Sequence, residues 1–527
     1  MADSQRALGT EISHALKARG VEVIFGIPGV HNIEMYRGIE QAGLTHILAR
    51  HEQGAGFMAD GYARATGRPG VAFVITGPGL CNILTPLGQA YSDSVPILVI
   101  SSCLDETAGR RGQLHQMKDQ RAAADCVADW SLEARDASAA FRLIDRAFAE
   151  FRAARPRPKH IQVPISQLGK RTPPAPPPPP LPRMPGITPI GLAMMLRLLK
   201  NARKPLFIFG GGARRASDSA IRVTRKLGAA AFTTYAGRGI LPPDHPLFLG
   251  ATLPRAAGVD LIAGADAVLA FGTELAEVDL WRDQLGHDAP LLQVDLDPAV
   301  LAGADWPVLA DAADALAALD EALEVDPPRQ SNWEARDIAA FRLAARAACD
   351  SERPGLTRIV DALAAALPRD TMIFSDMTQL AYVAKEVWDM PAPDIWHHPT
   401  GFGTLGYALP AAIGGKIGRG ALPVAAIAGD YGFHYSLQEL GVAVELGLNL
   451  PIILWDNARL AEIGDAMQAA QIAPNAVVAG NPDFCALARA WGARAVKPSD
   501  LQDLPAIMAG ALNVGVPTLI HLTPDIL

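Results

Sequence analysis

Residues 171–186 read RTPPAPPPPPLPRMPG, and this run decides what the chain can build. Proline lacks an amide hydrogen and has a fixed φ, so the run supports neither helix nor ladder and favours an extended polyproline spacer. It reads as an interdomain linker rather than as a ligand for a proline-binding module. A hydrophobic core must therefore close on each side of it. The 527 residues suffice for roughly three domains. A second boundary is expected near 325–355, where Val325-Asp326-Pro327-Pro328 precedes an Ala/Arg-rich helical stretch. The expected units are 1–170, the linker 171–187, 188–328 and 350–527.

Within each unit, short apolar or β-branched runs alternate with helical periods. Strands are expected at 21–25, 70–75 and 97–101, at 205–209, 267–271 and 291–294, and at 372–374, 424–428, 451–454 and 518–522. Helices are expected between them, as at 55–66 and 437–446. Strand–helix alternation implies parallel sheets covered on both faces. The expected fold class is α/β, with three doubly wound parallel-sheet domains. Ligands of such sheets sit at the carboxyl ends of the strands.

Half the residues are hydrophobic, 19% are charged and the net charge is −8. That balance gives no electrostatic reason to expect nucleic acid or an anionic membrane as partner. No apolar run approaches the roughly 20 residues of a membrane span. The opening Met1-Ala2-Asp3-Ser4-Gln5 lacks a basic region followed by an apolar one, so no secretory signal is expected. Five scattered cysteines without a CxxC pair suit free thiols in a reducing cytosolic setting.

Two distant stretches carry chemistry. The strand at 424–428 ends in Gly429-Asp430-Tyr431-Gly432-Phe433, with a helix expected over 436–446. The next strand ends in Asp456-Asn457. Adjacent parallel strands would set Asp430 beside Asn457, a carboxylate and an amide oxygen suited to a hard cation such as Mg²⁺ that shares its ligands with phosphates. Gly429 and Gly432 would let backbone approach a phosphate. A plain helix-capping Asp430 is the alternative. The other stretch, Arg50-His51-Glu52-Gln53-Gly54-Ala55, lies at a strand-to-helix junction, where Glu52 is either a catalyst or a favourable N-terminal charge.

GDY, 24 residues and then DN resembles the signature of thiamine diphosphate-dependent enzymes, written GDG, a spacer of this size and NN. The resemblance implies Mg²⁺ held by Asp430, Asn457 and the carbonyl of Arg459. It departs from the pattern at Tyr431 and Asp456, which puts in question the backbone at Tyr431 and the room around the diphosphate. The first unit resembles the family through RHEQGAGFMADGYAR, which implies that Glu52 contacts N1′ of the aminopyrimidine, promotes its imino tautomer and so generates the reactive thiazolium ylid. TGFGTLGYALP resembles the family's GxLGxxLPAAIG stretch. It implies that Leu405 wedges the cofactor into a bent shape and that the carbonyl of Gly403 receives the 4′-amino group. Gly26, Pro28, Thr76, Asn82 and Thr378, with Gly429, Tyr431 and Gly432, complete the implied cofactor-binding set. The order resembles that of pyruvate decarboxylase: pyrimidine-binding, central and diphosphate-binding domains. It implies a homodimer or homotetramer with active sites between chains.

Among the subgroups, GIPGVHNIEMYRGIE, SDMTQLAY and GTELAEVDLWRDQL most resemble 2-ketoarginine (5-guanidino-2-oxopentanoate) decarboxylase. The implied activity is non-oxidative decarboxylation of a 2-oxo acid to an aldehyde and CO₂. The alternatives are acyloin-forming carboligation, as in acetolactate synthases, and a degenerate non-catalytic homologue. Leu114-His115-Gln116 in place of Phe-Gln-Glu, and an end soon after the 518–522 strand, count against an acetolactate synthase. His31 and His115 are the candidate proton handlers or carboxylate binders. Tyr431, Glu462 and Asp465 are expected near the cofactor and substrate face, where an acid among them either pairs with a guanidinium or lies on a solvated helix face. His397 and His398 are assigned no role. Gly210-Gly211-Gly212 and Val294-Asp295-Leu296-Asp297-Pro298 resemble remnants of a nucleotide site, and the central domain is expected to be structural.

Overall fold

The computed structural model describes residues 5–106, 109–325, 331–478 and 480–527. The expectations at Met1 to Ser4 and at Asp326, Pro327 and Pro328 lie outside the described residues.

Three six-stranded parallel sheets, each flanked by helices, carry the chain. The first runs Thr45–Leu48, Val23–Gly26, Gly70–Val74, Ile97–Cys103, Lys159–Pro164 and Trp130–Glu133. The third runs Trp396–His397, Met372–Ser375, Val424–Gly429, Pro451–Trp455, Thr518–Leu522 and Arg494–Val496. Counted in chain order within each sheet, both follow 2-1-3-4-6-5. The central sheet runs Phe248–Gly250, Ala230–Thr233, Pro205–Phe209, Ala267–Phe271, Leu291–Asp295 and Trp306–Leu309, which is the doubly wound order 3-2-1-4-5-6. The central strands are buried along their whole length, which is why they read as unbroken apolar runs.

Each sheet has one place where the strand order reverses, and a crevice opens there beyond the strand ends. In the first sheet it lies between Val23–Gly26 and Gly70–Val74, in the third between Met372–Ser375 and Val424–Gly429, and in the central one between Pro205–Phe209 and Ala267–Phe271.

The first and third domains share one core. The helix Glu52–Thr66 lies against Ala408–Arg419, with Phe57, Tyr407, Phe374 and Phe433 in the same buried cluster. Backbone meets backbone at this crossing. A Cβ on Gly61 would lie 1.9 Å from the Ala411 carbonyl oxygen, and one on Gly414 would lie 1.9 Å from that of Met58. The phenol of Tyr407 donates to Asp60 at 2.7 Å, and Arg64 donates to Asp60 and Asp93, each at 2.7 Å.

Two local readings need correction. Arg171–Thr172 does form a ladder, pairing antiparallel with Arg6–Ala7, because these two residues precede the first proline and keep their amide hydrogens. The helix expected from 436 instead starts at Asp430 and runs to Ser436, followed by a 3-10 turn over Leu437–Glu439 and a helix over Leu440–Glu445. Gly429 to Phe433 is thus a strand-to-helix junction rather than a loop. Tyr431 takes helical geometry in the first turn, outside the positive-φ positions, so the substitution of Tyr for Gly imposes no left-handed backbone.

Candidate active site

The reversal point of the first sheet collects the expected acid–base residues. Strand Gly70–Val74 leads through Thr76 and Gly77 into helix Pro78–Asp93. Gly77 has φ 72°, and a Cβ there would lie 2.5 Å from the His115 carbonyl oxygen. A Cβ on Gly79 would lie 3.2 Å from Glu52 Oε1. His31 and His115 meet edge to face with ring centroids 4.9 Å apart, and the Nδ1 of each is buried without a hydrogen-bond partner among the described residues. Burial, and then the adjacent His115, hold His31 below the ordinary imidazole pKa. His115 itself sits at φ +62°, a left-handed conformation that a bulky residue adopts only when its surroundings impose it. One turn therefore gathers His31, His115 and Glu52.

Glu52 does not cap its helix. His51 is the N-cap residue, its Nδ1 accepting from the Gln53 amide at 3.1 Å. Glu52 is the first helical residue, 8% exposed, and its Oε2 accepts from Asn82 Nδ2 at 2.9 Å. The junction is fixed from the third domain, where Glu439 accepts from the Arg50 amide. Thr76 is tied by its hydroxyl to Ser102 at 2.8 Å, and the Gly77 amide donates to Gln120 Oε1 at 2.9 Å. Gly26 is buried, with a Cβ position 2.1 Å from the Phe73 carbonyl oxygen, whereas Pro28 is exposed at the rim.

The third sheet builds the other half. Register pairs Gly429 with Trp455, so Asp430 stands beside Asp456, and Asn457 lies one residue further on. Asn481 Nδ2 bridges the two carboxylates, 2.8 Å from Asp430 Oδ2 and 2.8 Å from Asp456 Oδ1. Asp430 is 4% exposed, and burial raises its pKa. Among the described residues, no ion pair neutralises it. Burial pushes Asp456 upward as well, but hydrogen bonds from His521 and Asn481 outweigh that and hold it below the usual carboxylate range. Asn457 Nδ2 donates to Gln379 at 3.1 Å, and its Oδ1 accepts from the Arg459 amide at 3.3 Å.

The Asp430 carboxylate, the Asn457 amide oxygen and the Arg459 carbonyl are hard oxygen donors of the kind that could hold Mg²⁺. Beside it, a Cβ on Gly429 would lie 3.0 Å from the Thr378 side chain, and one on Gly432 would lie 2.3 Å from Asp376 Oδ2. Bulk at either position would close the crevice.

Asp376 organises this half. It is fully buried and accepts from the Met377 and Gly406 amides at 2.9 Å each. Burial pushes its pKa up to about 6 against those hydrogen bonds. It thereby joins the end of Met372–Ser375 to the segment holding Gly403 (φ 66°) and Leu405. An acid placed directly after an apolar strand is the one signal in the sequence that could have found it. Asn481 lies in an Asn-Pro turn and Glu439 within a helical stretch, where neither residue type stands out.

Other candidates fall away from the crevice or already have partners. Glu462 accepts from Arg353 with its two oxygens at 3.0 and 2.9 Å, so its carboxylate already has a guanidinium partner within the chain. Asp465 is exposed on the same helix. His397 and His398 are buried, and burial holds both well below the usual imidazole range. In the central sheet the glycines have a packing role. A Cβ on Gly210 would lie 2.3 Å from the Gly272 carbonyl oxygen, and one on Gly212 would lie 2.8 Å from Gly272 Cα. A cavity of about 350 Å³ opens beside them, lined also by Arg155, Asp295 and Asp394.

Helix Pro78–Asp93 meets the Glu52 junction and the 401–404 segment at different points along its length. Asn82, in the second turn of Pro78–Asp93, holds Glu52. Gln89 and Asp93, near the other end of that helix, accept from Thr404 at 2.9 Å and from the Gly401 amide at 3.1 Å. At 1.5 Å rise per residue, Asn82 and Gln89 are separated by roughly 10 Å along the axis.

Comparison with known proteins gives the same division. Residues 6–123 match the N-terminal TPP binding domain of thiamine pyrophosphate enzymes, 192–319 the central domain and 376–522 the C-terminal TPP binding domain. A probable 2-ketoarginine decarboxylase of Pseudomonas aeruginosa is 43% identical over 98% of this chain and 93% of its own length. The large subunit of acetolactate synthase isozyme 2 of Escherichia coli is 28% identical over 98% of this chain and 95% of its own. A probable acetolactate synthase large subunit of Methanocaldococcus jannaschii is 27% identical over 98% and 91%. With these matches along its length, the chain belongs to the thiamine pyrophosphate enzyme family.

Proposed function

We propose that the chain catalyses the non-oxidative decarboxylation of a 2-oxo acid bearing a guanidino group, as in 2-ketoarginine, to an aldehyde and CO₂, with thiamine diphosphate and Mg²⁺. The observation that carries the substrate class is the 43% identity, end to end, with a relative named for that reaction. Convergence of Glu52, His31 and His115 on one turn supports the chemistry.

Bound thiamine diphosphate supplies a nucleophilic carbon and an electron sink. Asp430, Asn457 and the Arg459 carbonyl would hold Mg²⁺ beside the diphosphate, next to Gly429 and Gly432, which pack against Thr378 and Asp376. Glu52, held by Asn82, exchanges a proton with the pyrimidine N1′. Leu405 and the Gly403 carbonyl orient the rings. The unpartnered Nδ1 atoms of His31 and His115 bind the substrate carboxylate or return a proton to the product carbon. In this reading a second copy completes each site, in a homodimer or homotetramer. Five free cysteines suit a cytoplasmic setting. We keep 1–170, 188–328 and 350–527 as the pyrimidine-binding, central and diphosphate-binding domains.

Carboligation is the second reading, favoured by the acetolactate synthase relatives that span almost the whole chain. Incubation with 2-ketoarginine, pyruvate and benzoylformate, with and without an acceptor aldehyde, separates the two. Release of 4-guanidinobutanal supports the proposal, acyloin alone supports carboligation, and no turnover of any acid despite bound cofactor means a degenerate homologue.

A further inference from the structure

Asn457 can serve a cation only through Oδ1, yet its amide could sit either way round. A chain of hydrogen bonds behind it, together with the Arg459 amide that donates to Oδ1 at 3.3 Å, decides which. Asn457 Nδ2 donates to Gln379 Oε1 at 3.1 Å. Gln379 Nε2 donates to Glu462 Oε1 at 3.0 Å. Glu462 accepts from Arg353 Nε at 3.0 Å and from another guanidinium nitrogen, Nη2, at 2.9 Å. The four residues come from four separate places: the end of strand Pro451–Trp455, the first turn of helix Gln379–Val387, the first turn of helix Ala461–Ala469, and the C-cap of helix Ala335–Glu352.

The polarity of this chain runs one way. A guanidinium only donates, and a carboxylate facing it only accepts. Burial pushes the Glu462 carboxyl up, but its bonds to Arg353 and Gln379 prevail and keep it ionised at neutral pH. Gln379 must therefore offer Nε2 to Glu462, which leaves Oε1 as the acceptor for its neighbour. Asn457 must answer with Nδ2, and Oδ1 is then turned to the other side.

We propose that Gln379 is a positioning residue for the cation site, transmitting the fixed polarity of the Arg353–Glu462 pair to Asn457 so that its Oδ1 is presented as a metal ligand. This rests on the reading of Asn457 as an Mg²⁺ ligand. Partners that orient ligands from behind cost roughly 10–100-fold in metal affinity when removed.

The test measures binding rather than turnover: Mn²⁺ titrated into the full chain with thiamine diphosphate, followed by the paramagnetic resonance of free Mn²⁺. Gln379→Leu keeps the volume and deletes both bonds. It is expected to weaken Mn²⁺ by roughly 10–100-fold while leaving the melting temperature of the cofactor-free protein unchanged. Gln379→Glu sets two carboxylates face to face and is expected to weaken Mn²⁺ too. Adding Glu462→Gln to it recreates the polarity: the amide now at position 462 can donate to the carboxylate now at position 379, and that carboxylate can accept from Asn457. This double variant is expected to regain affinity to within about threefold of the wild type. Wild-type affinity in Gln379→Leu, or a double variant no better than Gln379→Glu, overturns the proposal; the second comparison decides it if Gln379→Leu does not fold. Unchanged Mn²⁺ affinity in Asn457→Ala, or no Mn²⁺ binding by the wild type, instead defeats the metal reading and this proposal with it.

Discussion

Glu439 accepts from the backbone amide of Arg50, 389 positions away, with its two oxygens at 3.1 and 3.2 Å. The third domain thus holds the junction that aims Glu52. Glu439 is completely buried, and burial pushes its pKa up to about 7 against the hydrogen bonds from Arg50 and His51. A carboxyl whose pKa is higher in the folded state than in the unfolded chain binds its proton more tightly when folded. Its contribution to stability is complete below the unfolded value of 4.5 and is lost as pH rises through about 7. The loss is on the order of 3 kcal/mol at most. Glu439→Gln removes the ionisation and keeps an acceptor. Its urea midpoint, relative to that of the wild type, is expected to climb between pH 5 and pH 8. A difference that stays flat across this window would sink the assignment.

Glu52→Gln addresses proton transfer directly. The amide preserves shape and can still meet Asn82, so the fold and cofactor affinity are expected to persist. Turnover is expected to fall by roughly 10²–10⁴-fold, the usual worth of a positioned acid–base group. H/D exchange at C2 of bound thiamine diphosphate, followed by NMR, should slow in parallel. Full turnover in this variant contradicts the assigned relay.

Much of this site was legible because it lies at strand ends. The apolar runs before Asp430 and before Asp456-Asn457 are fully buried parallel strands, so their length marks where the crevice must open. That His51 rather than Glu52 takes the N-cap could not be read in sequence, because it rests on the bond from His51 Nδ1 to the Gln53 amide; Glu52 remains an acid in the first turn. The residues that hold the site, Glu439, Asp376, Gln379 and Asn481, act across 25 to 389 positions. No local period encodes such distances. Nor could the sequence pair Glu462 with its guanidinium partner, because Arg353 lies 109 residues away.

The shared core makes a sharp contrast between two helical glycines. A Cβ on Gly61 would sit 1.9 Å from the Ala411 carbonyl oxygen, whereas one on Gly510 meets nothing within 4 Å. Gly61→Ala must therefore push the Glu52–Thr66 and Ala408–Arg419 helices apart, at a cost of about 1–3 kcal/mol or more. Gly510→Ala only restricts the unfolded chain and is expected to be neutral, or stabilising by up to about 1 kcal/mol. Thermal or urea denaturation of the two variants checks both signs. A Gly61→Ala variant as stable as the wild type would show that the helices do not cross this closely.

Sites completed by a second copy lead to a test that does not depend on knowing the substrate's affinity. If each site takes Glu52 from one copy and Asp430 from its partner, Glu52→Gln and Asp430→Ala inactivate different halves of the same site. In a mixed dimer of the two variants, one site then receives both damaged halves and the other receives two intact ones. Co-expression with random pairing makes half of the dimers mixed, each with one working site of two, so about a quarter of wild-type turnover per chain is expected. Each variant expressed alone should show only its residual activity. If Glu52 and Asp430 of the same chain formed one site, every site in the mixture would carry one defect and co-expression would recover nothing. A mixture no more active than the mean of the two variants therefore rejects sites shared between chains, while purified Asp430→Ala that binds thiamine diphosphate and Mg²⁺ as tightly as the wild type rejects the cation site itself.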